Sequence, residues 1–320
     1  MRLMKIFCLL LMMTATARAD TLPSWREGEV KSAITTWLTR ITTPGSPDFI
    51  PISDRIAVFD NDGTSWCERP GYGPTDFQVS LARSLAAEGR IDAEAMPFRA
   101  WFTNDRKALR KFGYGEAYRV MNAAFAGMPV TAYRDSARAW LDRTRHPRFG
   151  TPLTDLYYAG MIELKDLLVA NGFQVWIVTG GAQDFVRSYS EQVLDIPPSQ
   201  VIGSWTQPVY RVVDGVGEVV RGAQQNYNGH ENKPASIEAR IGKRPVFAAG
   251  NSNNDEPMLR WVVTGSHPAL ALWIHHDDKE REYDYDRGCD QIARLVEENA
   301  ATCEVSIRRD WSRVFVGVVK

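Results

Sequence analysis

The chain has 320 residues, of which 44% are hydrophobic and 24% are charged, with 38 Lys and Arg against 39 Asp and Glu. This composition is that of a globular protein long enough for one large domain with an insert. The near-neutral charge argues against binding to nucleic acid through a basic surface, so we expect no nucleic-acid partner.

The first nineteen residues predict a secretory signal peptide. Arg2 and Lys5 precede an apolar run over residues 6–13, and Ala17-Arg18-Ala19 matches an A-x-A cleavage site. A membrane anchor is the alternative, but this run is far shorter than the about 20 residues that a spanning helix needs. We therefore expect cleavage after Ala19, export to the periplasm or beyond, and no stable membrane insertion.

Three cysteines remain after the signal, at positions 67, 289 and 303. Export permits disulfides, and a bond between Cys289 and Cys303 would close a short loop near the C-terminus. Separate buried thiols are the alternative, and the sequence leaves both open.

Short apolar runs separated by helical patterns predict the buried parallel strands of a doubly wound, mostly parallel α/β sheet. The runs cover residues 55–60, 173–179, 245–250 and 269–274. Helices are predicted over residues 27–41, 153–170 and 233–241. Alternating runs on both sides of Asp214-Gly215 indicate a hairpin.

The pattern changes between residues 66 and 150, where helical stretches rich in Ala, Arg and aromatic residues cover residues 76–88 and 104–125. We interpret this part as an inserted helical cap. The predicted organisation is a signal peptide at 1–19, an α/β core at 20–65 and 151–320, and a cap at 66–150.

Polar residues follow the first predicted strand, and reactive groups of open α/β sheets collect at the carboxyl ends of strands. This strand runs into Asp60-Asn-Asp62-Gly-Thr64, with two carboxylates two residues apart. One Asp can attack phosphorus, and the other, when protonated, can donate a proton to the leaving alkoxide. Taken alone, Asp-Gly after a strand also fits a simple turn.

The later polar segments suit phosphate and a metal. The second strand ends in Thr179-Gly180-Gly181, whose hydroxyl and backbone N–H groups can bind phosphoryl oxygens. Lys233, at the start of a predicted helix, offers a positive charge. The third strand ends in Gly-Asn-Ser-Asn-Asn-Asp at 250–255, whose oxygens suit Mg²⁺. Singly, these segments also fit a strand cap, a solvated lysine and a helix cap.

The order of these four motifs resembles that of the haloacid dehalogenase (HAD) superfamily over about residues 56–259. The insert resembles the helical cap of its phosphoserine phosphatase branch. This resemblance implies a phosphoric monoester hydrolase that uses Mg²⁺, acts on a small phosphorylated metabolite and forms an aspartyl-phosphate. A phosphotransferase or mutase that uses the same intermediate, and a non-catalytic protein that binds a phosphate ligand, are the alternatives.

The resemblance also implies roles for single residues. Asp60 would be nucleophile and metal ligand, and Asp62 would be general acid/base and a metal ligand through its carbonyl. Thr179, followed by Gly180, and Lys233 would bind the phosphoryl group.

Two further metal ligands are expected in the last motif. The resemblance makes Asp255 a ligand of Mg²⁺. Asn251 stands where the family usually has Asp, so it would be a ligand without charge.

Glu68 is a candidate for substrate selection. It resembles in placement the acidic residue that receives the substrate's amino group in the phosphoserine phosphatase branch. With Trp66 and Tyr72 nearby, this suggests a phosphoserine- or phosphocholine-like substrate, bound by charge and cation–π contact. A surface ion pair between Glu68 and Arg69 is the alternative.

His275 and His276 look at first like part of a metal cluster. Adjacent residues on an extended chain point to opposite faces, however, so they rarely share one ion. We therefore interpret them as a polar strand end or helix cap.

Overall fold

The computed structural model describes residues 21–317, so the predicted signal peptide lies outside the described residues. The described part contains eight strands in one sheet. The strands are β1 (Ile56–Phe59), β2 (Gln174–Ala182), β3 (Val201–Val213), β4 (Val216–Asn226), β5 (Phe247–Gly250), β6 (Leu270–Asp277), β7 (Asp284–Tyr285) and β8 (Thr302–Ser306).

The sheet has the order β4-β3-β2-β1-β5-β6, and β7 and β8 both pair with β6. β1 lies between β2 and β5, and these pairs are parallel, as are β2 with β3, β5 with β6 and β6 with β8. The two remaining pairs, β3 with β4 and β6 with β7, are antiparallel. The predicted mostly parallel α/β sheet is therefore confirmed, and its central strand is the one that precedes Asp60.

Helices cover the sheet and form the insert. They are α1 (Glu29–Thr42), α2 (Gly73–Ala87), α3 (Phe98–Phe102), α4 (Arg106–Phe112), α5 (Tyr114–Ala123), α6 (Val130–Arg143), α7 (Ala159–Ala170), α8 (Gln183–Arg187), α9 (Ser190–Leu194), α10 (Asn232–Ile241), α11 (Glu256–Val263), α12 (Asp290–Glu298) and α13 (Ile307–Asp310). Single 3-10 turns lie at Ile52–Asp54, Leu153–Asp155 and Pro198–Gln200. Over residues 21–317, no helix is both long and apolar enough to cross a membrane.

The alternation of side chains along β1 explains the two hydrophobic layers. Ala57 and Phe59 pack on one face with buried residues of α1 and α7, whereas Val58 packs on the other face with residues of α10, α11 and α12. Because both faces are covered, the strand is continuously apolar, as is typical of parallel sheets.

Residues 66–150 contain helices α2 to α6. Phe77 of α2 lies 5.4 Å from Phe185 of α8 and 5.2 Å from Tyr133 of α6, measured between ring centroids. These buried rings attach the insert to the sheet region, since aromatic contacts of this kind add to the stabilisation from burial. The helical stretch predicted over residues 104–125 is divided into two helices. Gly113, with a φ of 94°, separates α4 from α5.

The strands of the predicted hairpin are longer than the sequence pattern indicated. β3 and β4 are joined at Asp214 and Gly215, whose φ values of 51° and 80° are those of a tight hairpin turn. The second predicted strand also continues to Ala182, because the pairing of β2 with β3 shifts register between Val178 and Ala182. Thr179 therefore lies within an irregular part of β2, not at its end.

The disulfide considered between Cys289 and Cys303 is not formed, and the alternative of separate thiols holds. Cys289 packs in the cluster that contains Trp273, on one face of the sheet. Cys303 pairs in register with Leu272 and packs with it against the cluster on the other face. The sheet thus separates the two sulfur atoms, which a disulfide would have to bring within about 2 Å.

Candidate active site

Asp60 lies directly after the central strand and is 4% exposed. Its backbone N–H donates to the carbonyl of Ala249 in β5 (2.9 Å), and its carbonyl accepts from the hydroxyl of Ser65 (2.8 Å). One carboxylate oxygen accepts from Nζ of Lys233 (2.7 Å) and the other from the hydroxyl of Thr64 (3.0 Å). Backbone and side chain are therefore both fixed at the carboxyl edge of the sheet.

Lys233 is fully buried at the start of α10 and donates to three acceptors. They are Oδ1 of Asp60 (2.7 Å), Oδ1 of Asp255 (2.6 Å) and the carbonyl of Val178 (2.8 Å). Burial acts to lower the pKa of Lys233, but the carboxylates of Asp255 and Asp60 outweigh it and keep that pKa above its ordinary value. The ammonium group thus stays charged and joins two of the predicted motifs.

Asp255 holds the loop that follows β5. Its Oδ2 accepts from the backbone N–H of Asn251 (2.9 Å) and of Ser252 (3.0 Å), and from the Ser252 hydroxyl (3.2 Å). Gly250 makes this approach possible, because a Cβ there would lie 2.4 Å from Cβ of Asp255. Since Lys233 occupies its other oxygen, Asp255 connects the loop to the buried ammonium group.

Asp62 lies beside Thr179, whose hydroxyl is 3.3 Å from Oδ2 of Asp62 and accepts from the backbone N–H of Gly181 at 2.8 Å. Oδ1 of Asp62 is buried without a hydrogen-bond partner. Burial, and then the negative charge of Glu68, raise the pKa of Asp62 to about 7. The carboxyl group therefore exists in both protonation states near neutral pH, which suits an acid that must later act as a base.

Glu68 faces Asn251, not the surface. Oε1 of Glu68 accepts from the Asn251 amide (3.3 Å) and from the hydroxyl of Tyr285 (2.8 Å). Arg69 lies with its guanidinium 4.2 Å from the centroid of the Tyr285 ring. The alternative of a surface pair between Glu68 and Arg69 is therefore not what the structure shows.

The two adjacent histidines point in different directions. His275 is half-buried and pairs with Glu304 (2.6 Å), whereas His276 is buried, with Nε2 2.7 Å from the carbonyl of Gly63 and Nδ1 3.0 Å from Glu282. The interpretation as a polar strand end is confirmed, since β6 runs to Asp277. The contact of His276 with the loop after β1 was missed, because it depends on tertiary structure.

A cavity of about 430 Å³ opens beside Gly180 and Gly181, and it was not predicted from the sequence. Gly180 and Gly181 of β2 form one side, and Tyr72 is the one residue singled out near Glu68 that lines it. Neither Glu68 nor Trp66 is among its lining residues. No local sequence signal marks this cavity, because its walls come from the insert, from β2, β3 and β4, and from the loops after β4 and β5.

The motif order and this geometry agree with a comparison of sequences. A family model described as haloacid dehalogenase-like hydrolase matches residues 57–260, more than half of the chain. The chain belongs to the haloacid dehalogenase-like hydrolase family. A search among curated proteins found no match.

A comparison with solved structures also found similar chains. A conserved functionally unknown protein from Anaerococcus prevotii DSM 20548 has 14% identity and a TM-score of 0.53, with coverage of 84% of this chain and 88% of that one. A phosphoserine phosphohydrolase-like protein from Francisella tularensis subsp. tularensis SCHU S4 has 14% identity and a TM-score of 0.41, with coverage of 80% and 95%. At these identities the first match shows a shared fold, and the second carries no argument about function.

The HAD family implies Mg²⁺ next to the nucleophile. The Thr64 hydroxyl lies 3.0 Å from Oδ2 of Asp60 and 3.4 Å from Oδ1 of Asn251. The carboxylate oxygen and the amide oxygen are therefore close to each other. Mg²⁺ prefers oxygen ligands and keeps several waters, and this donor set fits it. Over residues 21–317, no group of three His, Cys, Asp or Glu side chains suits a metal, and both oxygens of Asp255 are hydrogen bonded. The ligand roles of Asp60, Asp62, Asn251 and Asp255 stay predictions.

Proposed function

We propose that this HAD hydrolase is an exported, magnesium-dependent phosphatase that attacks small organic phosphomonoesters through Asp60. One observation carries the proposal: the buried Lys233 ammonium joins Asp60 to Asp255 at the carboxyl edge of the sheet, 2.7 and 2.6 Å away. A buried nucleophilic carboxylate, a fixed cation and a second carboxyl group with a pKa of about 7 are what phosphoryl transfer to an Asp requires.

In the first step, a carboxylate oxygen of Asp60 forms a bond to phosphorus while the ester P–O bond breaks. Asp62 in its protonated form donates its proton to the departing alkoxide oxygen. Lys233 and the Thr179 hydroxyl stabilise the charge that spreads over the phosphoryl oxygens.

In the second step, water attacks the phosphorus of the aspartyl-phosphate. Asp62, now ionised, takes a proton from this water, and the bond from phosphorus to Asp60 breaks, which releases phosphate and restores both carboxyl groups. Mg²⁺ held by Asp60 and Asn251 would neutralise phosphoryl charge when bound.

An amine-bearing substrate, such as phosphoserine or phosphocholine, was the suggestion attached to Glu68. The contacts of Glu68 with Asn251 and Tyr285 both engage Oε1, one of the two carboxylate oxygens that could receive an ammonium group. Its position outside the cavity lining gives this suggestion no further support.

Release of phosphate from p-nitrophenyl phosphate, with Mg²⁺ and with a chelator, tests the activity. Asp60→Asn should reduce turnover by several orders of magnitude, and mass spectrometry must exclude deamidation. Asp214→Asn is the matched control, because the same chemical change in a hairpin turn that Asn tolerates should leave activity unchanged. Full activity of Asp60→Asn would contradict the proposal.

The ratio of p-nitrophenol to free phosphate separates a phosphatase from a phosphotransferase. A ratio of one in the presence of added alcohols supports hydrolysis, and an excess of p-nitrophenol shows transfer to the alcohol. Export is tested in the native host: the mature protein should begin at Asp20, and a chain that retains Met1 in the cytoplasm would contradict this part of the proposal.

A further inference from the structure

We infer that the preferred substrates are phosphate esters of uncharged alcohols that carry a flat ring with hydrogen-bonding groups, the chemistry of a nucleoside. This inference rests on the proposed phosphatase function and adds the nature of the leaving group to it. The observation behind it is the cavity of about 430 Å³ whose lining includes Gly180 and Gly181, the two residues that follow Thr179. That volume is in the range of small-molecule sites, about 300–1,000 Å³.

The cavity adjoins the position where the leaving group must lie. Tyr72 lines the cavity together with Gly180, which directly follows Thr179, and the Thr179 hydroxyl lies 3.3 Å from Oδ2 of Asp62, the proposed proton donor to the leaving oxygen. Gly181, also in the lining, donates its N–H to Thr179 at the phosphoryl site. A Cβ at Gly181 would lie 2.9 Å from the Tyr72 hydroxyl and 3.2 Å from the Thr179 hydroxyl. The glycine therefore lets Tyr72 lie close to the phosphoryl site. The alcohol portion of an ester bound at Asp60 would therefore extend into this space.

The lining carries no formal charge. Among the described residues that form it, none is Asp, Glu, Lys, Arg or His. An ammonium or carboxylate group that is removed from water without a partner costs several kcal/mol or more, so charged leaving groups are disfavoured here. Phosphoserine, which carries both groups, fits this lining worst.

Aromatic rings form a large part of the walls. Tyr118 of α5, Trp205 of β3 and Tyr227 after β4 join Tyr72 from four separate segments. The Tyr118 hydroxyl is 2.7 Å from that of Thr75, which fixes the ring. Stacking on such rings is worth about 1–3 kcal/mol for a nucleic-acid base and does not need charge.

Aromatic walls bind quaternary ammonium groups as well as flat rings. The amide side chains in the lining favour a ring with hydrogen-bonding groups. Gln78, Asn122, Gln225 and Asn254 all line the cavity. The orientation of the Asn122 amide is fixed, because its Oδ1 accepts from Gln78 (3.1 Å) and from the buried Arg221 (3.3 Å). A trimethylammonium group makes no hydrogen bond with such amides, whereas the edge of a heterocycle does.

The first test compares kcat/KM for uridine 5′-monophosphate with kcat/KM for phosphoserine and phosphocholine, which are all esters of alkyl alcohols. We expect the nucleotide to exceed both charged esters by about tenfold or more, from the stacking contribution. A higher kcat/KM for phosphoserine or phosphocholine would overturn the inference while it leaves the phosphatase proposal intact. Phosphate release from none of the esters would instead contradict the proposed function.

The second test measures binding and does not depend on turnover. Trp205→Ala should weaken the calorimetric Kd for uridine 5′-monophosphate about tenfold or more. Tyr210→Ala is the matched control, since it removes an aromatic ring from the same strand at a position that is 69% exposed and outside the cavity. Equal Kd values for both variants and the unmodified protein would overturn the inference even in an inactive enzyme.

A third variant changes the charge without removing a ring. Gln225→Glu places a carboxylate in the half-buried part of the lining. It should raise kcat/KM for phosphocholine relative to that for uridine 5′-monophosphate. An unchanged ratio would show that the leaving group does not enter this cavity.

Discussion

Nε2 of His276 lies 2.7 Å from the carbonyl oxygen of Gly63, between the proposed acid Asp62 and Thr64. The other ring nitrogen lies 3.0 Å from Glu282, a fully buried carboxylate that also accepts from the hydroxyl of Tyr158 (3.0 Å). Both ring nitrogens thus face oxygen atoms of other residues. His276 therefore connects the loop after β1 to the buried Glu282.

Replacement of His276 by Leu should destabilise the fold by about 1.5–3 kcal/mol, because the buried Glu282 carboxylate loses one of its hydrogen bonds and keeps those from Tyr158 and from the backbone N–H of Tyr283. His275→Leu, one residue earlier on the same strand, is the control and should cost about 1 kcal/mol or less, since its pair with Glu304 is partly exposed. Urea denaturation of both variants measures the difference. Equal losses of stability in the two variants would mean that the contacts of His276 do not hold the loop after β1.

The pair of His275 and Glu304 predicts a pH dependence. The hydrogen bond to Glu304 raises the pKa of His275 above its ordinary 6.5, and the same bond lowers the pKa of Glu304 below its ordinary 4.5. The His275 contribution is complete below 6.5 and is lost as the pH rises through its raised pKa. The Glu304 contribution is complete above 4.5 and is lost as the pH falls through its lowered pKa.

The stability difference between the unmodified protein and His275→Leu should therefore be largest between about pH 4.5 and 6.5. It should shrink at higher pH, as the imidazole loses its proton. Thermal or urea unfolding across this range checks the sign. A difference that grows steadily up to pH 9 would contradict the assignment.

Gly63 can be tested against a glycine with the same backbone conformation. Gly63 and Gly215 have φ values of 81° and 80°, but a Cβ at Gly63 would lie 2.0 Å from Nδ2 of Asn251, whereas a Cβ at Gly215 would meet nothing within 4 Å. Gly215→Ala should cost about 1–2 kcal/mol through its φ alone. Gly63→Ala should cost more and abolish phosphatase activity. Equal stability and full activity of both variants would show that the loop can shift away from Asn251.

Asn251→Asp tests the proposed magnesium site. A carboxylate binds Mg²⁺ more strongly than an amide, so the variant should need less Mg²⁺ for half-maximal activity and should bind Mg²⁺ more tightly in calorimetry. Without metal it should be less stable, because the new carboxylate replaces an amide that lies 3.3 Å from Glu68. An unchanged affinity for Mg²⁺ would place Asn251 outside the metal's coordination shell.

The catalytic loops could be predicted because their information is local. Asp60 follows a continuous apolar run, and Asn251 and Asp255 follow another, so the strand positions alone bring them to one edge of the sheet. Lys233 was identified from its place in the order of motifs. Its ammonium group joins the carboxylates of Asp60 and Asp255 because the side chain is buried between them. The sequence pattern does not indicate this burial.

The parts that could not be predicted depend on distant contacts. β8 carries Cys303 and Glu304 between hydrophobic residues and becomes a strand through its pairing with β6. The break before α5 depends on the backbone conformation of Gly113. The substrate cavity combines Tyr72 with Trp205, which are more than 130 residues apart, and no local pattern indicates that they share a space.

The central claim is the covalent intermediate on Asp60, and chemical trapping tests it most directly. The enzyme is mixed with p-nitrophenyl phosphate and Mg²⁺, quenched in acid during turnover and treated with borohydride, which reduces an acyl phosphate to an alcohol. We expect homoserine at position 60 in the peptide mass spectrum, and none without substrate or in Asp60→Asn. Turnover with an unmodified Asp60, or homoserine at another position, would contradict the account.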